Sequence, residues 1–555
     1  MKSASPSSFP FGPATLCPGF SSLLGIWGLL LVFAAAPACS GQEPGGKEGK
    51  EKEGKEKEGK ARPAPGKEDA AEAERALSEG VALLKEKKFK EGLAAFQRAA
   101  DLGQITAQHN LGVLYYSGAG VEQNLPLATQ WFKKAAAAGQ PDAQLQLADL
   151  YFRGIGVEKD NQAGLALLAA AAKGGHAPAQ MRLADLYKAG LDGEGQGVLP
   201  RDLELYLDWY RKAAEQGQAA AQYQLGLLHQ NGWGVRQDFA KAAPWLRKAA
   251  EQGLAAAQHQ LALAFTRGLG VPKDLAEAKS WARKAAEQGS ADSMLHLGQL
   301  LLERKDDPER FKQATEWFQK AAEKGQLDAL YNLALLHLAG QGVERDAAKA
   351  AQLCRKAAVA GSAQAQFGFA LMLLNGQGVP INQGEAFQWM VRASQQGLVQ
   401  AQYNLGLLYL NGQGIEQNPA QAAQWFRLAM GNGHLESSVQ YAVLLFKGQG
   451  VEKSEAEAYG LMRRAAEGGH ALAQTNVGIM LREGTGVAKD EREAVTWFVR
   501  AAEQNFADGQ FALGHAYESG TGTKKDATVA RQWYQKAADQ GHPLALQALE
   551  RLKKG

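Results

Sequence analysis

Cysteine is almost missing from the chain, with three residues in 555. That excludes a disulfide framework. No Cys-x-x-Cys pair occurs, so neither a zinc site nor a redox pair is signalled. A surplus of one charge is missing as well. Sixty-one basic residues face 58 acidic ones, for a net charge of +3, which points to neither nucleic acid nor an acidic substrate. Mean hydropathy is −0.32, too low for a polytopic membrane protein. The motifs of catalysis are also lacking. There is no His-Glu-x-x-His, no Gly-x-Ser-x-Gly, no phosphate-binding loop and no Ser-x-x-Lys. No catalytic residue, metal site or cofactor is expected. What the chain does have is a globular 45 % of hydrophobic residues, which excludes disorder throughout. Its 64 glycines show no Gly-X-Y period, which excludes collagen.

The N-terminus reads as an address. Residues 1–38 carry one charge, Lys2, and an apolar run from Leu23 to Ala36. The run is short for a transmembrane span and suits the core of a signal peptide. It ends at Ala36-Pro37-Ala38-Cys39-Ser40, which resembles the processing site of bacterial lipoproteins. The resemblance implies removal of a 1–38 signal peptide and a lipid on Cys39. With Ser40 in the next position it also implies the outer membrane, on its periplasmic face or at the cell surface. Ala36 stands where that family usually has Leu, and ordinary cleavage after Ala38 is the other reading. A Lys/Glu/Gly-rich segment follows, so 39–67 is expected to be a tether, spanning about 30 Å as a flexible coil. Cys354 lies in a helical pattern and reads as a small buried hydrophobe.

Tryptophan measures out the rest. Trp209, Trp245, Trp281 and Trp317 are evenly spaced, as are Trp389 with Trp425 and Trp497 with Trp533, and Leu167, Leu353 and Leu461 hold the vacant places. The period is 36 residues and gives twelve registers, one of them lengthened around Gly193–Gly197. Within a register, Ala401, Leu405, Leu408 and Tyr409 share one helix face. A Gly-x-Gly loop ends that helix. A short polar residue then caps a second helix: Asp160, Asp238, Asp274, Asp346, Asn382, Asn418, Ser454, Asp490 and Asp526. Four of these carry an acid three residues on, the pattern of a capping box: Asp274/Glu277, Asn382/Glu385, Ser454/Glu457 and Asp490/Glu493. Cations at 212, 248, 284, 320, 464, 500 and 536 each precede an acid by three residues. They predict ion pairs on an exposed face, worth about 0.2–0.5 kcal/mol each, and leave no basic stripe for nucleic acid. His176, His434, His470 and His542 share one register position, which argues for a structural role.

The combination Ala-x-x-x-Leu-Gly-x-x-Tyr, Gly-x-Gly-Val, Asp, Trp and Lys-Ala-Ala-x-x-Gly resembles Sel1-like repeats, relatives of tetratricopeptide repeats. Lys212–Gly217 and Lys248–Gly253 match it closely. The resemblance implies an all-α fold, an α/α solenoid superhelix of about twelve 36-residue helix-turn-helix repeats over 103–541. Residues 68–102 resemble a tetratricopeptide-like helix pair, and 542–555 a capping helix. The repeat at 293–325 has Glu303–Asp307 in place of the glycine loop, where a kink or altered stacking is expected.

By the same resemblance, three positions of each first helix face a concave surface. In repeats 7–10 these are Tyr331, Leu335, Leu338, Phe367, Leu371, Leu374, Tyr403, Leu407, Leu410, Val439, Val443 and Phe446, all apolar or aromatic. Elsewhere the positions turn polar, as at Asp185, Lys188, Arg482, His515 and Glu518. The stripe is either a groove for an apolar partner segment or packing between neighbouring first helices. Trp233, alone among the loop residues between two glycines, is a second candidate anchor. Sel1-like proteins are typically adaptors. The expectation is therefore a non-enzymatic scaffold tethered to the cell envelope that holds a protein or peptide partner and assists an envelope or export assembly. The alternatives are an envelope enzyme or binder of cell-wall fragments or β-lactams, and a host-facing surface factor.

Overall fold

The computed structural model describes residues 67–191, 199–303 and 307–554, without the side chains of Lys67, Lys553 and Lys554. The signal peptide, Cys39, all of the tether but its last residue, Gly193–Gly197 and Arg304–Asp306 lie outside the described residues. Among the described residues the chain is entirely helical, save one isolated bridge. A helix pair, Lys67–Lys85 and Phe89–Asp101, leads into twelve further pairs. They run from repeat 1 (Ile105–Ser117 and Leu125–Ala137) to repeat 12 (Ala507–Ser519 and Ala527–Asp539), and Pro543–Lys554 closes the array. This last helix buries Ala545, Ala548 and Leu549 against Ala530 and Tyr534.

Within a repeat the two helices meet where an aromatic ring of the second lies on a glycine of the first. Phe132 covers Gly112, Phe318 covers Gly298, Phe426 covers Gly406 and Phe498 covers Gly478. A side chain in place of these glycines would hold the helices apart. First helices also pack on the next repeat's first helix, as Leu327–Ala339 does on Ala363–Asn375. They therefore form the inner layer of an α/α solenoid, with the second helices outside.

Each expected N-cap is occupied as the sequence implies. The side chains of Asp160, Asp238, Asp274, Asp346, Asn382, Asn418, Ser454, Asp490 and Asp526 accept backbone N–H groups of the first turn. The capping boxes do not close. The N-cap N–H of Asp274, Asn382, Ser454 and Asp490 already donates to a carbonyl of the first helix, at 2.9–3.0 Å. Three of the box glutamates are thus released to accept from tryptophan. Trp281 Nε1 donates to Glu277 at 3.0 Å, Trp389 to Glu385 at 3.2 Å and Trp497 to Glu493 at 3.3 Å.

Six of the seven expected ion pairs are replaced by another contact. None of those cations pairs with the acid three residues on among the described residues. Lys212, Lys248, Lys284, Lys320, Arg500 and Lys536 instead lie over the tryptophan three residues before, 3.9–4.5 Å from the ring centroid. A flat π face one helical turn away competes better for the cation than a mobile, solvated glutamate. Trp425 has no such cover, because Leu428, 48 % exposed, stands at the cation's place.

A polar ladder runs through the array that the sequence reading does not anticipate. Gln180, Gln222, Gln258, Gln366, Gln402, Gln474 and Gln510 are buried in first helices. Each donates from its amide to a carbonyl at the end of the preceding second helix, at 3.1–3.4 Å. In six of them the amide oxygen accepts from the glutamine that ends the repeat's own second helix, at 2.7–2.8 Å. The rungs thus satisfy helix ends that burial would leave without water.

Neighbouring repeats touch backbone to backbone at the second glycine of the loop. At Gly378, φ is +72° and an added Cβ would lie 1.9 Å from the Ala347 carbonyl oxygen of the preceding repeat. The lengthened repeat departs here, since Leu191 and Leu199 close its loop by two backbone hydrogen bonds of 2.9 and 3.0 Å. Repeat 6 keeps its core despite the altered loop, with Leu297 and Phe318 fully buried.

Gly378→Ala is therefore expected to cost about 2–5 kcal/mol, from a left-handed backbone and an overpacked junction together. Gly397→Ala, with φ +85° but no atom within 4 Å of the added methyl, should cost only about 1–2 kcal/mol. Denaturant titration of the two variants checks the difference.

Candidate functional site

The twelve inner positions of repeats 7–10 divide into two classes. The first position of each trio belongs to the packing. Tyr331 lies on Gly368, with a ring carbon 2.4 Å from where a Cβ would stand, and beside Cys354. Burial, then the Cys354 thiol and Asp328, pushes the Tyr331 phenol up to about 12. Phe367 packs against the same core. Tyr403 is held between Phe426 and His434, with ring centroids 5.9 and 4.8 Å away. Val439 is 2 % exposed, which removes it from any surface. The partner-contact role expected for this position is thus corrected at Val439 outright. The reason is geometric, since a side chain two residues before the motif leucine points into the packing, onto the repeat's own second helix as Tyr403 does or the next first helix as Tyr331 does.

The second and third positions form the solvent-facing rows. Leu335, Leu371, Leu407 and Val443 are half-buried, as are Leu338, Leu374 and Leu410. Phe446 is 40 % exposed, with the Lys453 ammonium 6.0 Å from its ring centroid. The helices Ala363–Asn375 and Val399–Asn411 carry no charged residue at all. In repeat 3 the same two rows hold Asp185, which accepts from Tyr210 at 2.8 Å, and Lys188. Trp233 stands apart from the rows, in the loop of repeat 4, 48 % exposed. The Lys188 ammonium lies 5.2 Å from its ring centroid.

Side chains able to do chemistry are tied up in the frame. Cys354 is buried and free, its thiol donates to the Ala365 carbonyl at 3.3 Å, and burial pushes it up to about 12, so it is no nucleophile at neutral pH. Ser293 Oγ lies 3.0 Å from His259 Nδ1, yet Ser293 is fully buried and also bonds Ser290. His434, His470 and His542 use Nδ1 to accept a backbone N–H at the start of the following helix. No group of His, Cys, Asp or Glu able to hold a metal ion occurs among the described residues, and no described helix is long and apolar enough to cross a membrane.

Paired helices, glycine-seated junctions and an inner apolar face define an α/α repeat solenoid of the tetratricopeptide type. The Sel1 repeat family matches twelve consecutive segments, from 105–140 to 507–542, with a 42-residue third segment at 177–218. The chain belongs to the Sel1 repeat family. A protective antigen of uropathogenic Escherichia coli strains is similar to it at 30 % identity, over 83 % of this chain and 97 % of that one, with a TM-score of 0.56. A Sel1 repeat protein from Oxalobacter formigenes is 30 % identical over 62 % of this chain and 90 % of its own, with a TM-score of 0.38. Among curated proteins no match is found. Sel1 repeat proteins are generally non-catalytic protein-interaction scaffolds and bind protein partners.

Tyr331→Ala is expected to cost about 3–5 kcal/mol of stability, as for other large buried aromatics. Phe446→Ala should leave the melting temperature nearly unchanged, because its ring already meets water. Thermal unfolding followed by circular dichroism distinguishes the two rows.

Proposed function

We propose that the chain is a non-enzymatic scaffold of the bacterial cell envelope, anchored by lipid on Cys39, that takes an apolar segment of a protein partner along repeats 7–10. The observation that carries this reading is the change of character along the inner rows. Most repeats meet their neighbours through the same backbone junction, so packing alone asks for one residue class at these positions. The rows are instead apolar and part open to solvent in repeats 7–10, and charged in repeat 3. Rows of half-open leucines ending in Phe446 match the apolar face of an amphipathic helix laid in a groove. Trp233 is a separate anchor at the edge of repeat 4. No cofactor and no nucleic acid takes part.

The envelope location rests on the apolar run before Cys39 and on the alternating charges after it. A lipid on Cys39 and a solvated tether would hold the solenoid within reach of a membrane without crossing it. The similar protein of uropathogenic Escherichia coli is a protective antigen. Antigens of that kind meet the host's antibodies, which favours a host-facing surface role as the second reading. The cell-wall-enzyme reading has no comparable support.

Cys39→Ala is expected to move the protein from the membrane fraction to the soluble periplasmic extract. A wild-type protein that is already soluble, or an unmodified Cys39 in the intact mass, would refute the anchor. For the groove, photo-crosslinkers at 446 and 410 in intact envelope should trap the same partner, and one at outward-facing Gln424 should not. Phe446→Ala should then weaken capture by about 1–4 kcal/mol, roughly 5- to 800-fold. Adducts formed only from the outer face would place the partner elsewhere.

A further inference from the structure

We propose that the contact between repeats 5 and 6 is an acid-sensitive catch, fastened by two buried histidines while both are neutral and released when one takes a second proton. His259 lies in the first helix of repeat 5, Ala255–Arg267, and His296 in that of repeat 6, Ala291–Leu302. Their rings meet edge to face, with centroids 5.9 Å apart. Tyr331 and Gly368 hold the equivalent places in repeats 7 and 8, where the ring lies on the glycine. There the contact is made without a group that titrates near neutrality, and here by two that do.

The hydroxyls beside the pair fix which nitrogen of each ring carries its hydrogen. The Thr266 hydroxyl donates to the Ala262 carbonyl at 2.8 Å, so its oxygen accepts from His296 Nε2 at 3.0 Å. The Ser293 hydroxyl donates to Ser290 Oγ at 2.9 Å, so its oxygen accepts from His259 Nδ1 at 3.0 Å. Both bonds cross from one repeat to the other, and each ring spends its one hydrogen on the neighbouring repeat. A second proton on His296 would have to enter at Nδ1, which is buried and has no hydrogen-bond partner. His296 is 7 % exposed, so its imidazolium would gain neither water nor an acceptor.

The charges around the pair do not rescue the cation. Asp292 favours a charge on His259, but its carboxylate already accepts from Gln326 at 2.7 Å. Arg267 disfavours one on His296, as does His259 itself. Lys324, at the end of the second helix of repeat 6, brings its ammonium against Gly289, next to Ser290. The second helices of repeats 4, 5 and 6 bury alanine, leucine, tryptophan and phenylalanine, and no charged residue. The flanking first helices carry Tyr223, His229, Asp328, Tyr331 and His337, none of which shifts either ring. Burial, then His259 and Arg267, pushes the His296 imidazole down to about 4, and burial holds His259 below its ordinary value against the pull of Asp292.

A histidine freed from the contact titrates near its ordinary value of about 6.5. Between that value and the folded one, the opened contact binds more protons than the closed one. Closure is therefore strongest above about pH 7 and weakens as the pH falls towards about 4. Trp233 lies on one side of this contact and the apolar rows of repeats 7–10 on the other, so its release changes what a single partner can span.

Amide hydrogen exchange in the full chain, compared between about pH 7.5 and pH 5 and corrected for the intrinsic rate, tests the catch. Carboxylates stay largely ionised over that range. The first helix of repeat 8, Ala363–Asn375, has no charged residue and serves as the reference. Protection in Ala255–Arg267 and Ala291–Leu302 is expected to fall about 30-fold more than in the reference, the effect of one histidine moving between about 6.5 and about 4. His296→Asn installs the residue that repeat 7 carries as Asn332, which is buried and donates to the Asp328 carbonyl at 2.7 Å. It should abolish most of the difference. An equal fall in all three helices would overturn the catch, as would a response that a folded His296→Asn variant keeps in full. The unmodified comparison decides the matter even where the variant does not fold.

Discussion

The solenoid depends on one close approach, made in ten of the twelve repeats by the second glycine of the loop against the start of the preceding second helix. At Gly270, Gly378 and Gly522 an added Cβ would stand 1.9 Å from a carbonyl oxygen. No side chain fits in that space, and the positive φ would disfavour one in any case. Because the contact is made by backbone, it is indifferent to what the outer surfaces carry. Twelve repeats can therefore stack in one register while their exposed residues diverge. The glutamine rungs work in the same way, satisfying buried helix ends from inside and leaving the inner and outer faces free.

That separation of frame from surface is what makes the inner face informative. Tryptophan and its covering cation recur on the outer side, where they shield an apolar ring from water with a hydrated charge. Trp425, with Leu428 beside it, breaks that rule within repeat 9, whose first helix carries no charge. The inner rows of the same region are leucines and an open phenylalanine. A surface this poor in charge offers little to a charged ligand, since desolvating an ion there would find no partner. It is an apolar face, and the frame holds it in place.

Chemistry-bearing residues meet the opposite fate. Cys354, Ser293 and the recurrent histidines are drawn into packing, capping and buried hydrogen bonds. For the histidines this follows from register: a residue that returns to the same place in several repeats serves the repeat.

From sequence alone, the period, the helix pair, the caps and the break at Glu303–Asp307 were legible, because each leaves a local mark: tryptophan every 36 residues, glycine at the left-handed turn, Asp or Asn before the second helix. Cys354 as a buried hydrophobe was legible for the same reason. The partners of long side chains were not. Whether Glu277 closes a capping box or accepts from Trp281 turns on a backbone N–H already taken by the preceding helix, which only the folded pair decides. Whether Lys284 meets its acid or its tryptophan turns on competing contacts of similar energy. The division between Tyr331, held on Gly368, and Phe446, open to water, depends on where the neighbouring first helix falls. Local sequence determined the elements and their order. The stacking of one repeat on the next decided which side chains were left to meet anything else, because burial is a property of the neighbour as much as of the residue.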